Sequence, residues 1–265
     1  MSTVRVLVLR TAGINCEEEV MHCWETAGGS PTLLPLDDLL SSPATLDSFD
    51  IVTLPGGFSY GDDLGAGVIF AERMSRELAG PLQSFVAGGG GILGICNGFQ
   101  ILVKAGLLPG GTVGPGSVTV THNDSNRFEA RWVRLRCVSE TCPFLRPGEV
   151  LELPVEHAEG KVIARDRATV AALCAGGHIA LRYEGEEGDV KRFPANPNGS
   201  VDGIAGLCDA TGRVLGMMPH PDRHFALSHH PSWTSRVLRG ETVGEHEPDG
   251  LRVFSNAVAF WSMRG

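Results

Sequence analysis

The chain has 265 residues, of which 42% are hydrophobic and 20% charged, a balance typical of a folded globular protein and not of a disordered one. Its formal net charge is −9 and no long block of Lys or Arg interrupts it, which argues against a nucleic-acid partner. No apolar run reaches the length of a membrane-spanning helix and the N-terminal residues do not resemble an export signal, so we expect neither a membrane span nor secretion.

The first hundred-odd residues alternate apolar strands with helices. The run 4–9 predicts a buried strand, and Glu17 to about Ala27 predicts a helix with three glutamates in its first turn. The further elements predicted here are strands at 33–36, 49–54 and 92–95 and helices at 37–40, within 70–87 and at 97–105. This β-α-β-α-β-α order predicts an α/β fold with a parallel sheet covered by helices on both faces.

The remainder of the chain has a different pattern. Between residues 117 and 204, short runs such as 131–136 alternate with period two and predict antiparallel strands added to the parallel core. The segment 191–200 predicts a turn-rich connector. A strand at 214–218, a surface loop or insertion near 228–250 and a helix at 254–261 complete the prediction. Without a repeat or linker, we expect one domain over residues 1–265.

Cys96 is the strongest candidate for a catalytic nucleophile. It follows a predicted strand directly, precedes a predicted helix, and has Gly94 and Gly98 two residues away on either side, which permits a tight turn. Such a turn exposes the sulfur at a helix N-terminus, where the dipole favours a thiolate. The alternative is a small buried hydrophobe between packing glycines. The seven cysteines show no paired spacing, which predicts free thiols and a cytoplasmic location.

His220 is the best candidate for the base that a cysteine nucleophile needs, since it follows the predicted strand 214–218. In an extended segment, Asp222 points the same way and would accept a hydrogen bond from one ring nitrogen while the other faces Cys96. Asp222 would alternatively cap a helix beginning near Arg223. We expect no metal, because the nearby histidines at 224, 229 and 230 lack regular ligand spacing and fit a solvated loop.

A Pro-Gly-Gly-Phe sequence at 55–58 ends another predicted strand. The backbone N–H of Gly57, together with that of Asn97 just after the nucleophile, would stabilise a developing oxyanion. Alone, Pro-Gly-Gly is a common loop and weak evidence. Cys16, at the start of the first predicted helix, is a rival reactive thiol, but it has no tight strand-to-helix turn, and a structural or incidental role is favoured.

In order, the motifs Pro-Gly-Gly, Gly-x-Cys-x-Gly-x-Gln and His-Pro-acid resemble those of class I (triad-type) glutamine amidotransferases, which have a flavodoxin-like fold. More narrowly, the chain resembles the glutaminase subunits of phosphoribosylformylglycinamidine synthase, enzymes of purine biosynthesis. The narrower resemblance rests on stretches that span most of the chain, at 10–16, 56–63, 94–100, 157–161, 196–200 and 218–221.

The resemblance implies glutamine hydrolysis through a thioester on Cys96, with His220 and Asp222 completing a triad. It implies that the glutamine is held by residues of three segments: Gly56, Phe58, Gln100, His157, Glu159 and Gly160. Ammonia would pass to an ATP-dependent synthetase subunit, with a small accessory subunit in the same complex. We expect no cofactor in this chain, since ATP and Mg²⁺ belong to that partner and no Walker-type loop is present.

Two departures from the family pattern stand out. The acid after His-Pro is usually Glu and here is Asp222, one methylene shorter, so its contact with His220 is expected to be longer or water-bridged. The segment 228–250 is longer than expected for a small stand-alone subunit and suggests a partner interface. Two other functions stay open: an amidotransferase serving another acceptor, and a non-catalytic α/β sensor or chaperone with one exposed cysteine.

Overall fold

The computed structural model describes residues 3–110, 113–185, 192–240 and 247–264. The strands within these ranges are β1 (Arg5–Arg10), β2 (Ser30–Pro35), β3 (Ile51–Leu54), β4 (Gly91–Ile95), β5 (Val118–Thr121), β6 (Glu129–Cys137), β7 (Val150–His157), β8 (Lys161–Ala164), β9 (Ile179–Tyr183), β10 (Ile204–Cys208) and β11 (Val214–Met217). The α-helices are α1 (Glu17–Thr26), α2 (Leu36–Ser41), α3 (Val68–Glu77), α4 (Ala79–Ala87), α5 (Asn97–Lys104), α6 (Arg167–Ala175), α7 (Trp233–Leu238) and α8 (Asp249–Ser262). Short 3₁₀ turns connect several of them.

Nine strands form one sheet in the order β2-β1-β3-β4-β11-β10-β9-β6-β7. The first five pair in parallel, and β3 and β4 are buried along their whole length, which accounts for their continuous apolar runs. Because parallel strands end at the same edge, the loops after β1, β3, β4 and β11 meet there. The predicted α/β fold with a parallel core is confirmed.

The middle of the chain extends the same sheet with antiparallel pairs. β10, β9, β6 and β7 follow β11 with alternating direction, as the period-two sequence predicted. After these reversals β7 runs in the same sense as the parallel core, so its last residue, His157, lies at the edge where β4 ends. β5 and β8 form a separate two-stranded ribbon beyond it.

Two predicted helices differ from the structure in their bounds. The single helix predicted within 70–87 is two helices, α3 and α4, that separate at Leu78. Pro81 explains the break, because its ring nitrogen cannot donate the hydrogen bond that a continuous helix requires. The last helix begins at Asp249, five residues before the predicted start at 254, where Asp249 places a carboxylate in the first turn.

The segment predicted as a loop or insertion near 228–250 is partly helical. It contains α7 and the start of α8, while residues 241–246 lie outside the described part. The predicted connector 191–200 consists of turns from residue 192 onward, and Lys191 is not described. Among the described residues, no helix is long and apolar enough to cross a membrane.

Candidate active site

Cys96 occupies the turn between β4 and α5 with backbone angles φ 50° and ψ −102°. A positive φ is unusual for a residue other than glycine, and such strain concentrates at functional sites. The turn is held from both sides: the N–H of Cys96 donates to the carbonyl of Met217 in β11 at 2.8 Å, and its carbonyl accepts from the N–H of Gln100 at 3.1 Å.

The two flanking glycines leave no room for a side chain. A Cβ on Gly98 would lie 2.0 Å from the carbonyl oxygen of Leu54 in β3, and one on Gly94 would lie 2.7 Å from the carbonyl of Gly98. These glycines therefore let α5 start directly against the ends of β3 and β4, with Cys96 at the top of the sheet.

A small cleft of about 140 Å³ opens at Cys96, far below the size of a drug-sized ligand site. It is lined by Asn15, Cys16, Gly57, Phe58, Asp62, Ala66, Cys96, Gln100, Phe128, Glu156, His157, Ala158, Glu159, His220 and Arg223. Seven of the eleven residues predicted for the site are among them. The lining does not include the other four, Gly56, Asn97, Gly160 and Asp222. A larger cavity of about 670 Å³ at the amino ends of β3 and β4 contains none of the eleven.

His220 lies in the cleft at the end of β11 and is only 2% exposed. Its N–H donates to the carbonyl of Pro154 in β7 at 2.8 Å, which fixes its backbone against the antiparallel half of the sheet. Its ring Nδ1 lies 3.3 Å from Oδ1 and 3.5 Å from Oδ2 of Asp222. Both distances exceed the usual 2.9–3.0 Å, so the contact with the shorter acid is long.

The charges around His220 favour its imidazolium form. Burial alone would lower its pKa, but the negative charges of Asp222 and Cys96 outweigh burial and raise the pKa well above 6.5. Within the described residues its Nε2 has no hydrogen-bond partner. Asp222 itself is fully buried inside the one-turn 3₁₀ helix Pro221–Arg223. The alternative that Asp222 caps a helix near Arg223 is wrong, because His220 occupies the cap position of that turn.

Asn97 is the first residue of α5, where backbone N–H groups have no partner within the helix. Its side chain accepts from the N–H of Ser59 at 3.2 Å and donates to Asp62 at 3.3 Å. Across the cleft, Gly57 has φ 142°, and a Cβ there would lie 2.7 Å from the Cα of Ile14. Glycine at 57 therefore lets the loop after β3 pass against the loop after β1.

Gln100 connects α5 to the opposite wall of the cleft. Its Oε1 accepts from the amide of Asn97 at 3.0 Å, and its Nε2 donates to the carbonyl of Glu159 at 2.5 Å. The side chain is thus engaged at both ends and holds the Glu159 loop in place, a role that the sequence did not reveal.

Asn123 organises the 157–160 loop and was also missed from the sequence. Its Oδ1 accepts from the N–H of Gly160 at 3.0 Å and lies 3.1 Å from Nδ1 of His157. A Cβ on Gly160 would lie 2.3 Å from that ring, so glycine is required. Burial, followed by the charge of His220, lowers the pKa of His157 to about 4.

The expectation of a solvated loop at the three later histidines is wrong for two of them. His224 and His230 are 3% and 8% exposed, and their rings meet Trp132 edge-on at 4.9 and 4.7 Å. Nδ1 of His224 lies 2.9 Å from the backbone carbonyl of Glu152, and Nε2 of His230 lies 3.1 Å from the carboxylate of Glu152. Trp132, an aromatic on β6, supplies the apolar cover that the local sequence did not show.

Cys16, for which the sequence favoured a structural or incidental role, lines the cleft. Its sulfur, an imidazole nitrogen of His220 and a carboxylate oxygen of Asp222 lie within 4.8 Å of one another. Thiolate, imidazole and carboxylate are ligands that zinc accepts. The positive charge of Arg223 disfavours binding of a metal cation here, because its guanidinium lies 3.5 Å from the sulfur and 4.0 Å from Asp222.

A family model for the CobB/CobQ-like glutamine amidotransferase domain matches residues 3–261. The chain belongs to this glutamine amidotransferase family. The resemblance seen in its motifs is thereby confirmed, and the amidotransferase fold carries the strand-to-helix turn at Cys96. Comparison with individual relatives makes the family assignment more specific.

Two curated relatives of this amidotransferase are named phosphoribosylformylglycinamidine synthase subunit PurQ. The one from Dehalococcoides mccartyi is 40% identical over 97% of this chain and 98% of its own length. The one from Rubrobacter xylanophilus is 42% identical over 83% and 89%. Among solved structures, PurLQS from Thermotoga maritima matches with a TM-score of 0.71 and 31% identity, covering 98% of this chain and 99% of that one. The amidotransferase is therefore similar to PurQ subunits along its whole length.

Proposed function

We propose that this amidotransferase is the glutaminase subunit of a phosphoribosylformylglycinamidine synthase and hydrolyses L-glutamine through a thioester on Cys96. The observation that carries the proposal is the strained turn that presents Cys96 to a small cleft shared with His220. The whole-length similarity to PurQ subunits supports the acceptor.

In the proposed reaction, Cys96 and His220 begin as a thiolate and an imidazolium, consistent with the raised pKa of His220. The sulfur attacks the side-chain amide carbon of glutamine, and the carbonyl oxygen becomes an oxyanion next to the backbone N–H groups of Asn97 and Gly57. His220 gives its proton to the amide nitrogen, the C–N bond breaks and ammonia leaves. Water, deprotonated by His220, then cleaves the thioester and releases glutamate.

The charges in the cleft suit a zwitterionic amino acid. Asp62, Glu156 and Glu159 provide carboxylates that would attract an ammonium group, and Arg223 provides a guanidinium. The predicted contacts of Phe58, Gly56 and the 157–160 loop with glutamine remain part of the proposal. The volume of about 140 Å³ is consistent with a ligand of this size.

We also propose that the ammonia is consumed by a separate ATP-dependent synthetase subunit, with a small accessory subunit in the complex. The curated relatives are named as subunits, and the Thermotoga maritima structure is titled PurLQS, which supports an assembly. Co-purification with the formylglycinamide ribonucleotide synthetase is the expected result. Binding to a different synthetase instead would favour another acceptor.

The proposal includes a single amidotransferase domain in the cytoplasm. The family match over 3–261 supports one domain, with the role of 228–250 as a partner surface still a prediction. All seven cysteines are free, in keeping with a reducing compartment.

The decisive experiment replaces Cys96 by Ala in the reconstituted complex. We expect glutamine-dependent synthesis to be lost while synthesis from added ammonia continues, because only the nucleophile is removed. Cys174→Ala, at an exposed free cysteine, is the matched control and should leave both rates unchanged. Unchanged glutamine use by Cys96→Ala would exclude Cys96 as nucleophile. Peptide mapping after labelling with a glutamine-mimicking chloroketone should identify Cys96 and not Cys16.

A further inference from the structure

The Nδ1 side of His220 lacks a single short acceptor. Asp222 approaches it only to 3.3 and 3.5 Å, and the closer oxygen, Oδ1, is not aligned for a hydrogen bond. In a catalytic triad, the acid fixes the tautomer and the orientation of the base. A weak contact at this position leaves the imidazole ring under-restrained unless another group shares the task.

Cys16 lies close to the His220–Asp222 pair. It is 3% exposed, and its sulfur lies within 4.8 Å of both an imidazole nitrogen of His220 and a carboxylate oxygen of Asp222. A Cβ on Gly56 would lie 2.7 Å from Cε1 of His220 and 3.2 Å from this sulfur, so glycine allows both groups to pack beside the same backbone.

The sulfur is held in place from two other directions. Its S–H donates to the side-chain oxygen of Asn15 at 3.3 Å, and it accepts from Nη2 of Arg223 at 3.5 Å. The other guanidinium nitrogen, Nη1, lies 3.1 Å from Glu19 in α1, and Nε lies 4.0 Å from Asp222. Arg223 therefore ties the start of α1 to the triad, and Cys16 lies at the centre of this connection.

On the basis of the proposed function, we propose that Cys16 is a positioning residue for His220. Its sulfur shares the Nδ1 side of the ring with Asp222 and compensates for the shortness of that acid. The fixed S–H bond to Asn15 leaves the sulfur lone pairs free to face the ring and Arg223. The charged and titratable groups around His220 are then Asp222, Cys96, Cys16, Arg223 and His157.

This role predicts an energetic coupling between Cys16 and Asp222. A longer acid at 222 would reach Nδ1 more closely and make the sulfur contact redundant. We would therefore measure the rate at which a glutamine-mimicking chloroketone labels Cys96 in the full-length chain within its complex. The variants are Cys16→Ala, Asp222→Glu and the double variant, and the coupling is read from the four rates.

We expect Cys16→Ala to slow labelling about tenfold in the native background and about twofold or less with Glu at 222, a coupling of about 1 kcal/mol. The coupling is the fold slowing that Cys16→Ala causes with Asp at 222, divided by the fold slowing that it causes with Glu at 222. A ratio below about three would overturn the proposal. Cys137→Ala, at a fully buried cysteine on β6, controls for a general packing effect and should not slow labelling.

A pH profile provides a second readout that packing alone would not move. Loss of an acceptor on the Nδ1 side lowers the pKa of His220, so Cys16→Ala should shift the alkaline limb of Cys96 labelling down by about 0.5 pH unit or more. An unchanged alkaline limb would contradict the positioning role. If Asp222→Glu does not fold, the pH profile of Cys16→Ala decides the question by itself. If Cys16→Ala does not fold, Cys16→Val replaces it in both measurements. Absence of Cys96 labelling in the native chain would instead disprove the proposed function itself.

Discussion

The two halves of the proposed active site, with Cys96 as nucleophile and His220 as base, are held in place by different means. Cys96 is fixed by its own backbone, with a strained φ of 50°, hydrogen bonds from the turn into β11 and α5, and glycines on both sides that admit no side chain. The backbone of His220 is fixed by a hydrogen bond to the carbonyl of Pro154, but its ring depends on side chains, and its contact with Asp222 is 3.3 Å or longer.

This difference determines how each half responds to substitutions. A backbone turn packed against backbone cannot relax by rotating a side chain, so a change near Cys96 displaces the nucleophile itself. A side-chain network has several partial contacts, so the loss of one weakens the base without removing it. The nucleophile half, around Cys96, is therefore expected to be brittle, so that one substitution removes most of the activity. The base half, around His220, is expected to be graded, so that each substitution lowers the activity only in part.

The largest effect is expected from Gly98→Ala. The new Cβ would lie 2.0 Å from the carbonyl oxygen of Leu54, a backbone atom that has no way to rotate aside. We expect a loss of about 3 kcal/mol in unfolding free energy and about a 100-fold slower use of glutamine. Thermal unfolding and the glutamine-dependent rate of the complex measure both.

Gly80→Ala in α4 is the matched control for this change. A Cβ there meets nothing within 4 Å, so the substitution should leave activity unchanged and stabilise the helix by about 0.5–1 kcal/mol. Native-like activity of Gly98→Ala would show that the turn is not brittle and would remove the distinction between the two halves.

The next effect tests the base. Asp222→Asn keeps the size of the side chain but removes the negative charge that helps to raise the pKa of His220. We expect a loss of about 50-fold in glutamine-dependent rate, smaller than the roughly 10⁴-fold loss in a triad with a short contact. A loss as large as that for Cys96→Ala would mean that Asp222 alone orients the base.

The sequence could predict the brittle half and much of the sheet, because both depend on neighbouring residues. The Gly-x-Cys-x-Gly pattern contains its own turn, and the alternation of strands and helices contains the parallel core. Cys16 and Arg223 could not be paired in this way, since 207 positions separate them. Sequence alone located the carboxyl edge where both lie, but not which side chains turn toward each other.

The same limit applies to the wall of the cleft formed by Gln100 and the 157–160 loop, which we propose to hold glutamine. Gln100 was predicted as a direct contact from its place in the motif, yet in the structure its amide bridges Asn97 and the carbonyl of Glu159. The Asn123 contact with the 157–160 loop depends on the pairing of β5 with β8, which places residues 34 positions apart side by side. Neither partner is visible in a local pattern.

A moderate effect is expected from Gln100→Leu, which keeps the approximate size but removes both hydrogen bonds. The Glu159 loop would lose its attachment to α5 while Cys96 keeps its backbone turn, so substrate binding should weaken more than the chemistry. We expect KM for glutamine to rise about tenfold with kcat reduced about threefold or less. Steady-state kinetics of the complex measure the two separately. A fall in kcat alone would place Gln100 with the nucleophile and not with the wall.

The smallest effect concerns stability and pH, and it comes from His157 in the graded half. Its pKa is lowered from 6.5 to about 4 by burial and by the charge of His220, so the unfolded chain binds its proton more readily than the folded one. The stabilisation is complete above the unfolded value of 6.5 and is lost as the pH falls toward 4. Between about pH 7 and about pH 5 this residue should remove about 2 kcal/mol of unfolding free energy.

His157→Gln tests this, since a glutamine amide can still donate to Asn123 but does not titrate over this range. Denaturant unfolding at the two pH values should show a decline that is smaller by about 2 kcal/mol in the variant than in the native chain. Equal declines would mean that His157 is protonated in the folded protein beside an imidazolium at His220. The base half would then carry one more positive charge, and the contact of His220 with Asp222 and Cys16 would have to be stronger than its distances indicate.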